Sequence, residues 1–480
     1  IARVRAGMTD ERRLMATWPL NLVFVRVRDF VGRVMSRTRH IAGHSPPRIA
    51  ILVFAAAVLV FTGLLMLPVS ALSGVGTSLP DALFTAVSAV TVTGLTTVDT
   101  GEHWSMFGQV VILVAIQTGG LGVVTIALLL AMMVTRRLGV TSRVFAKQSI
   151  GSDGLGDVKH LLRVVVLTTF AIELGLMLFL VPAFAVEEQS IARGLWFGTF
   201  YAISAFGNAG FSPHVGGIAQ FADSPWILTP LAAGVFVGSF GFPVFLNLIR
   251  AKWTRKKWTL HTKLTLTTTT ILLVVGAIGW TAFEWGNEAT VGDETGWAKL
   301  GHGLFASTMM RSGGFSVIDT SSMSATTMLL SDALMFVGGG SGSTAGGIKV
   351  TTLAVLLLAI RAEARGTRST NVFGRRLPDG TLRLAISVVF LGATLVLIAA
   401  GLLTTVSDAS LDRILFEVIS AFATCGLSVG ISAEAGPFGK FVLSALMLMG
   451  RVGPIVLASA LAIRQREEWF VLPEERPIVG

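Results

Sequence analysis

Cysteine is nearly missing from this sequence: Cys425 is the single thiol in 480 residues. That excludes an internal disulfide, and without paired thiols or clustered Cys and His the chain lacks the framework of a zinc or iron–sulfur site. Charge is scarce as well, at 14% Asp, Glu, Lys and Arg against 52% hydrophobic residues, with a mean hydropathy of +0.73. A soluble core cannot bury that much apolar surface, so the chain requires a bilayer. No strand, glycine-rich turn and helix follow one another as in a dinucleotide site, and no P-loop occurs, so no organic cofactor is expected in this chain. Nor do nucleophiles, paired carboxylates or metal-ligand clusters occur at membrane depth, which sets an enzyme aside. The net charge of +10 is a topology signal and no nucleic-acid footprint, because the basic residues sit in short segments between apolar runs.

A hydrocarbon core about 30 Å thick takes roughly 20 apolar residues per helix. Eight stretches qualify, at about 49–67, 106–134, 161–184, 226–249, 264–283, 328–360, 382–406 and 438–463. The sixth is interrupted by Gly338, Gly339, Gly340, Ser341, Gly342, Ser343, Thr344, Ala345, Gly346 and Gly347. Glycines in that number cannot hold a regular helix, so a break in mid-membrane is expected. Segments 136–163, 250–263 and 361–383 carry six Lys or Arg each, against none, one, two and two in 68–105, 184–226, 284–325 and 407–440. The basic segments are expected inside together with both termini, and the other four face outward with fifteen acids against five bases. Residues 1–48 read as a basic cytoplasmic arm without a cleavable signal peptide, and 464–480 as a cytoplasmic tail.

The outward segments align without a gap on one glycine: SAVTVTGLT ending at Thr96, SAFGNAGFS at Ser212, TMMRSGGFS at Ser316 and SAFATCGLS at Ser428. The shared glycines are Gly94, Gly210, Gly314 and Gly426, each followed by a large apolar residue and then a hydroxyl residue. Six positions earlier lies Ser88, Ser204, Thr308 or Ser420, and an aromatic recurs at Phe84, Phe200, Phe305 (offset by one) and Phe416. The expected fold is therefore all-α, with four repeats of helix, re-entrant helix, glycine loop and helix at 49–135, 160–250, 262–360 and 382–463. Two crossings per repeat give all four the same orientation, so they can surround one central pore. Inverted repeats would have alternated sides.

Non-helical backbone at membrane depth is tolerated only where it is buried in protein or faces water. Loops meeting on one axis can line a pore, and a glycine with positive φ lets successive carbonyls point inward to replace the hydration shell of an alkali cation. Short helices at about 81–91, 196–207, 299–310 and 412–423 would aim their partially negative C-termini at the ion. The candidate lining residues are Val92, Thr93 and Gly94; Asn208, Ala209 and Gly210; Ser312, Gly313 and Gly314; and Thr424, Cys425 and Gly426. The Cys425 thiol is expected beside the ion path. For a single copy, close helix packing is the better account of a glycine; four gapless copies favour the pore.

VTGL at 92–95, QTGGLG at 117–122, NAGF at 208–211, GSTAGGIK at 342–349, CGLS at 425–428 and GRVGP at 450–454 together resemble the Ktr/Trk/HKT superfamily of potassium transporters, most closely the bacterial Ktr-type membrane subunit. The likeness runs from about residue 49 to 463. It implies potassium uptake across the bacterial cell membrane through one four-repeat pore per subunit, a homodimer, and a cytoplasmic ring of nucleotide-binding subunits similar to KtrA. Membrane lipid is the surrounding medium. Sodium, as a second ion or a requirement, stays open, and a secondary symporter coupled to sodium or protons is the alternative. The third loop departs from the family, with Ser312-Gly313-Gly314 in place of the more usual Thr-Ala-Gly, and so does the fourth, with Cys425 at a place often held by Val.

The resemblance makes Gly338–Gly347 an intramembrane gating loop below the filter, against a static kink. It likewise makes Arg451, in mid-span where an unpaired charge facing lipid is costly, an electrostatic gate element, against a clamp between helices. Lys349 is expected to anchor the broken helix, Arg311 to brace the third short helix from behind, Asp99 to cap an outer loop, and Glu173 to hydrogen-bond between helices.

Overall fold

The computed structural model describes residues 46–137, 158–367, 369–378 and 380–463. The basic arm, apart from its last residues, and the tail lie outside the described residues. The described chain begins with helix α1 (Pro46–Leu65). In chain order α1 is followed by α2 (Leu79–Thr91), α3 (Thr100–His103), α4 (Met106–Arg137), α5 (Val158–Glu187), α6 (Ile191–Gly207), α7 (Pro225–Gly238), α8 (Phe242–Arg250) and α9 (Leu260–Glu284). Then come α10 (Gly296–Met309), α11 (Ala325–Phe336), α12 (Val350–Ala364), the hairpin β1 (Asn371–Val372) and β2 (Arg375–Arg376), α13 (Gly380–Thr404), α14 (Leu411–Ala423), α15 (Ile431–Glu434) and α16 (Pro437–Ile463).

Helix starts follow local chemistry. Ser78, Ser190, Thr295 and Ser324 each accept a bond from a backbone N–H in the first turn of α2, α6, α10 and α11, which satisfies a donor the helix leaves orphaned. Helices α2, α6, α10 and α14 have 13, 17, 14 and 13 residues, so each is roughly 20–25 Å long and too short to cross a hydrocarbon core. Their faces are buried all the same: Phe84, Phe200 and Phe416 are fully enclosed and Phe305 nearly so. One apolar cluster joins α1, α2, α4, α14 and α16 through residues such as Leu65, Phe84, Ile112, Phe416 and Leu443. A second joins α5, α6, α7 and α10 through Leu180, Tyr201, Leu231 and Met309.

Among the described residues three helices are long and apolar enough to cross a membrane, Arg163–Glu187, Leu260–Glu284 and Gly380–Thr404, and a fourth if the bent pair α7 and α8 is one span. That pair corrects the reading of 226–249 as a single helix, because the chain turns by 90° between Gly238 and Phe242. The cause is local: Gly241 takes φ 89°, and Pro243 at the start of α8 cannot donate. The stretch 328–360 is likewise α11, a non-helical segment 337–349, and α12. The two interruptions answer each other. Gly340 N–H donates to Ser239 O at 2.7 Å and Phe242 N–H to Gly342 O at 3.1 Å, so backbone groups freed by one break are satisfied by the other.

Candidate functional site

Helices α2, α6 and α14 end in the same way. Val92, Asn208 and Thr424 cap them in the left-handed region, at φ 56°, 59° and 47°. The next N–H turns back onto the helix, Thr93 to Ser88 O at 2.8 Å, Ala209 to Ser204 O at 2.7 Å and Cys425 to Ser420 O at 2.9 Å. After α10 the same backbone form is reached at Ser312, φ 80°, and Gly313 N–H returns to Met309 O at 2.8 Å. Two positions further on the shared glycines are also at positive φ, 94°, 68°, 74° and 98° in chain order. Donors bent toward the helix leave the loop carbonyls facing away from it.

The four glycines are neighbours in a closed cycle. A methyl group added to Gly94 would strike the Ala209 carbonyl and Gly210 Cα, one on Gly210 would reach Gly314 Cα and Gly313 O, and one on Gly314 would reach Cys425 O and Gly426 Cα. One on Gly426 would strike Thr93 O and come within 3.2 Å of Gly94 Cα. At every junction the carbonyl met belongs to the residue just before the next glycine. No side chain fits at any of the four.

The hydroxyl residues six positions earlier have divided roles. Ser88 Oγ and Ser420 Oγ each accept from the glycine N–H of their loop at 3.1 Å. Ser204 Oγ donates to Phe211 O at 2.9 Å, and Thr308 Oγ1 only to Leu304 O of its own helix. The third loop instead uses Ser312, whose hydroxyl donates to Thr424 O at 2.9 Å and accepts from Gly346 N–H at 3.3 Å. Thr424 O is therefore already engaged. Asn208, with its amide nitrogen on Ala205 O and Val235 O and its oxygen accepting from Ser239 Oγ, ties the second loop to the bend after α7.

Cys425 meets the third short helix. Its thiol is fully buried and donates toward Met309 O and Met310 O at the end of the third short helix, at 3.3 and 3.4 Å, while its carbonyl faces Gly314. Behind the loops lie three more glycines, of which Gly119 and Gly450 fall in the motifs 117–122 and 450–454. Gly119, Gly238 and Gly450 bring α4, α7 and α16 so close that an added methyl group would meet the carbonyls of Val90, Phe206 and Phe422.

Segment 337–349 packs under this ring. Gly346 abuts Thr424 and Ala423, and Thr344 Oγ1 donates to Phe206 O and Gly238 O at 3.1 and 3.0 Å. Arg451 Nη1 donates to Thr344 O, and its Nε and Nη2 meet no acceptor among the described residues. Lys349 Nζ folds back onto Ala345 O and Gly346 O at 2.7 and 3.3 Å. Arg311 Nη1 reaches Thr269 O on α9 at 2.9 Å, away from the loops. Asp99 caps α3 and receives Gly216 N–H at 2.8 Å, and Glu173 on α5 accepts from Gln117 on α4 at 3.1 Å. The bend at Gly238–Pro243 was missed from the sequence, although Gly238, Gly241 and Pro243 mark it.

The described helices are apolar, and they hold four glycine loops in backbone-to-backbone contact. The sequence model of the TrkH family, described as cation transport protein, matches residues 48–469. The chain is similar to the Ktr system potassium uptake protein B of Vibrio alginolyticus, 34% identical over 90% of this chain and 95% of the relative. It is also similar to the potassium/sodium uptake protein NtpJ of Enterococcus hirae, 33% identical over 91% of this chain and 97% of the relative. Among solved structures it resembles the potassium transporter TrkH from Vibrio parahaemolyticus, with a TM-score of 0.68 over 88% of this chain and 86% of that one, at 17% identity, a likeness of fold. This chain belongs to the TrkH family of cation transport proteins and is a transporter, not an enzyme.

Proposed function

We propose that this chain takes up potassium through a pore lined by four equivalent loops, each the centre of one helix, re-entrant helix and helix repeat. The observation that carries the reading is the closed cycle of Gly94, Gly210, Gly314 and Gly426, with the carbonyls of Thr93, Ala209, Gly313 and Cys425 at its junctions. Such oxygens replace water around an alkali cation without a fixed charge in the path. The filter comprises Val92 to Gly94, Asn208 to Gly210, Ser312 to Gly314 and Thr424 to Gly426, with potassium as the transported ion. Segment Gly338–Gly347 is the gate beneath it, and Arg451 adds a positive charge that raises the barrier to a cation.

In the same reading the eight stretches span the bacterial cell membrane, with the basic segments and both termini inside. The protein works as a homodimer under a cytoplasmic nucleotide-binding subunit, a partner to which the word "system" in the names of its Ktr relatives also points. A second reading, symport with sodium, is favoured by the name of the Enterococcus hirae relative, a potassium/sodium uptake protein. Proteoliposomes with imposed potassium, sodium and proton gradients test both. Potassium flux down its own gradient with neither co-ion present supports the pore. Flux only when a second ion gradient is imposed supports symport, and no potassium flux under any gradient rejects both.

A further inference from the structure

Behind the second loop runs a chain of polar groups that filter and gate do not use. Tyr201 on α6 is the sole tyrosine of the sequence. Its hydroxyl lies 2.5 Å from Ser212 Oγ, two residues past Gly210, and 2.9 Å from His214 Nδ1. His214 Nε2 lies 3.1 Å from Glu188 Oε1, and Glu188 Oε2 lies 3.5 Å from Arg193, whose side chain is 70% exposed. His214 N–H also donates to Ser212 Oγ at 3.3 Å. The imidazole is enclosed by Phe184, Phe197, Phe221 and Tyr201, the closest ring centre being that of Phe197 at 4.0 Å. The chain thus leads from a surface ion pair, through an aromatic cage, to the second loop.

The bonds have a direction. A carboxylate only accepts, so Glu188 fixes the proton of a neutral imidazole on Nε2 and leaves Nδ1 as acceptor. Tyr201 O–H then donates to Nδ1, and Ser212 O–H donates to Tyr201. When the imidazole gains a proton, Nδ1–H must donate to Tyr201, Tyr201 must turn its hydroxyl to Ser212, and the Ser212 proton must leave for another acceptor. One proton taken at His214 reverses every bond down to Ser212. The other charged or titratable groups facing this cluster are Arg193 beside Glu188 and Asp99 from the first outer loop, which holds Gly216 N–H at 2.8 Å. Burial among the rings holds the imidazole below its ordinary value, and the Glu188 contact pulls the other way.

We propose that Glu188, His214 and Tyr201 are positioning residues through which a proton from the outer solution re-seats the second loop and slows cation entry. The inference rests on the reading of that loop as part of a filter. A positive charge added at His214, a few bonds from Gly210, also repels the arriving cation.

The test is potassium flux into proteoliposomes at fixed voltage and fixed inner pH, with outer pH varied between about 5 and 8 and rates normalised to inserted protein. The parent should lose flux several-fold on acidification along a one-proton curve. Tyr201→Phe keeps the ring and removes the relay, and should flatten the curve; His214→Gln should flatten it too. Glu188→Gln, nearer the surface, should move the midpoint to lower pH, because it removes the charge that favours the imidazolium. A parent without pH dependence, or a Tyr201→Phe curve that overlays the parent's, overturns the proposal. Gly210→Ser measured at the alkaline end separates the two readings: altered potassium over sodium preference there with unchanged pH curves removes the relay alone, and unaltered preference removes the filter reading on which it stands.

Discussion

Two glycine-rich regions of this molecule use the same residue for different ends. In the ring, Gly94, Gly210, Gly314 and Gly426 all sit at positive φ and touch the next loop backbone to backbone. In segment 338–347, by contrast, only Gly342 and Gly347 need positive φ. Gly338, Gly339, Gly340 and Gly346 are there because Gly346, Ser239, Phe240 and Thr424 press against them. The ring is set by conformation and symmetry-like contact, and the segment by packing and by side chains that reach across to it. A segment pinned by Thr344, Lys349, Arg451 and main-chain bonds is not loose, so its release as a gate would require breaking named contacts.

The sharpest way to break this comparison is to put bulk into the ring. Gly94→Val or Gly426→Val should abolish potassium flux by over about a hundredfold, near 2.7 kcal/mol of barrier, at normal membrane insertion. Gly122→Ala on α4, where an added methyl group meets nothing, should be silent in the same assay. Equal flux in all three would mean that the ring has no part in permeation.

Next in size is release of the segment. Arg451→Gln should raise normalised potassium flux several-fold, since it removes both the bond to Thr344 O and a buried charge with two nitrogens unsatisfied among the described residues. A lower folded yield with no rise in rate per inserted molecule would make Arg451 a clamp between helices.

The hydroxyls sharpen the ring from within. Ser88→Ala and Ser420→Ala each leave a buried glycine N–H without its partner, a loss of about 1–3 kcal/mol, and should reduce discrimination of potassium from sodium in competition uptake. Thr308→Ala removes only a bond inside its own helix and should leave discrimination unchanged. The smallest effect is expected at Lys440, whose ammonium meets Asp81 at 2.6 Å and joins α16 to α2 across 359 positions of sequence. A double-mutant cycle with Lys440→Ala and Asp81→Asn should give about 1 kcal/mol of coupling for a pair largely but not fully buried; zero coupling would show that it does not help to hold the two elements together.

Much of this architecture was readable because it is written in repetition and periodicity. Helices α2, α6, α10 and α14 begin within a few residues of where the apolar patterns start, and the loop glycines announce themselves by aligning. The partners of the loops were less legible. Val92, a β-branched residue in the left-handed region, runs against its own preference and is held there by the two N–H bonds behind it. Ser312 bridging to Thr424 and to Gly346 joins positions far apart in sequence, which no local pattern encodes. The contacts of the Cys425 thiol are illegible for the same reason: adjacency to Gly426 fixes where its carbonyl lies, whereas the side chain meets Met309 O and Met310 O, more than a hundred positions away in sequence. The bend after α7 was hidden by uniform hydrophobicity, which reports burial and says little about direction.

The central claim is that the four glycine loops form a cation filter by offering their carbonyls in a closed ring. It is tested most directly by reversal potentials under opposed potassium and sodium gradients, for the parent and for Gly94→Ser, Gly210→Ser, Gly314→Ser and Gly426→Ser, each reconstituted at equal amounts. The account predicts a potassium-preferring parent and a preference that falls toward unity in every variant retaining measurable current. Variants that conduct with the parent's reversal potential would contradict it.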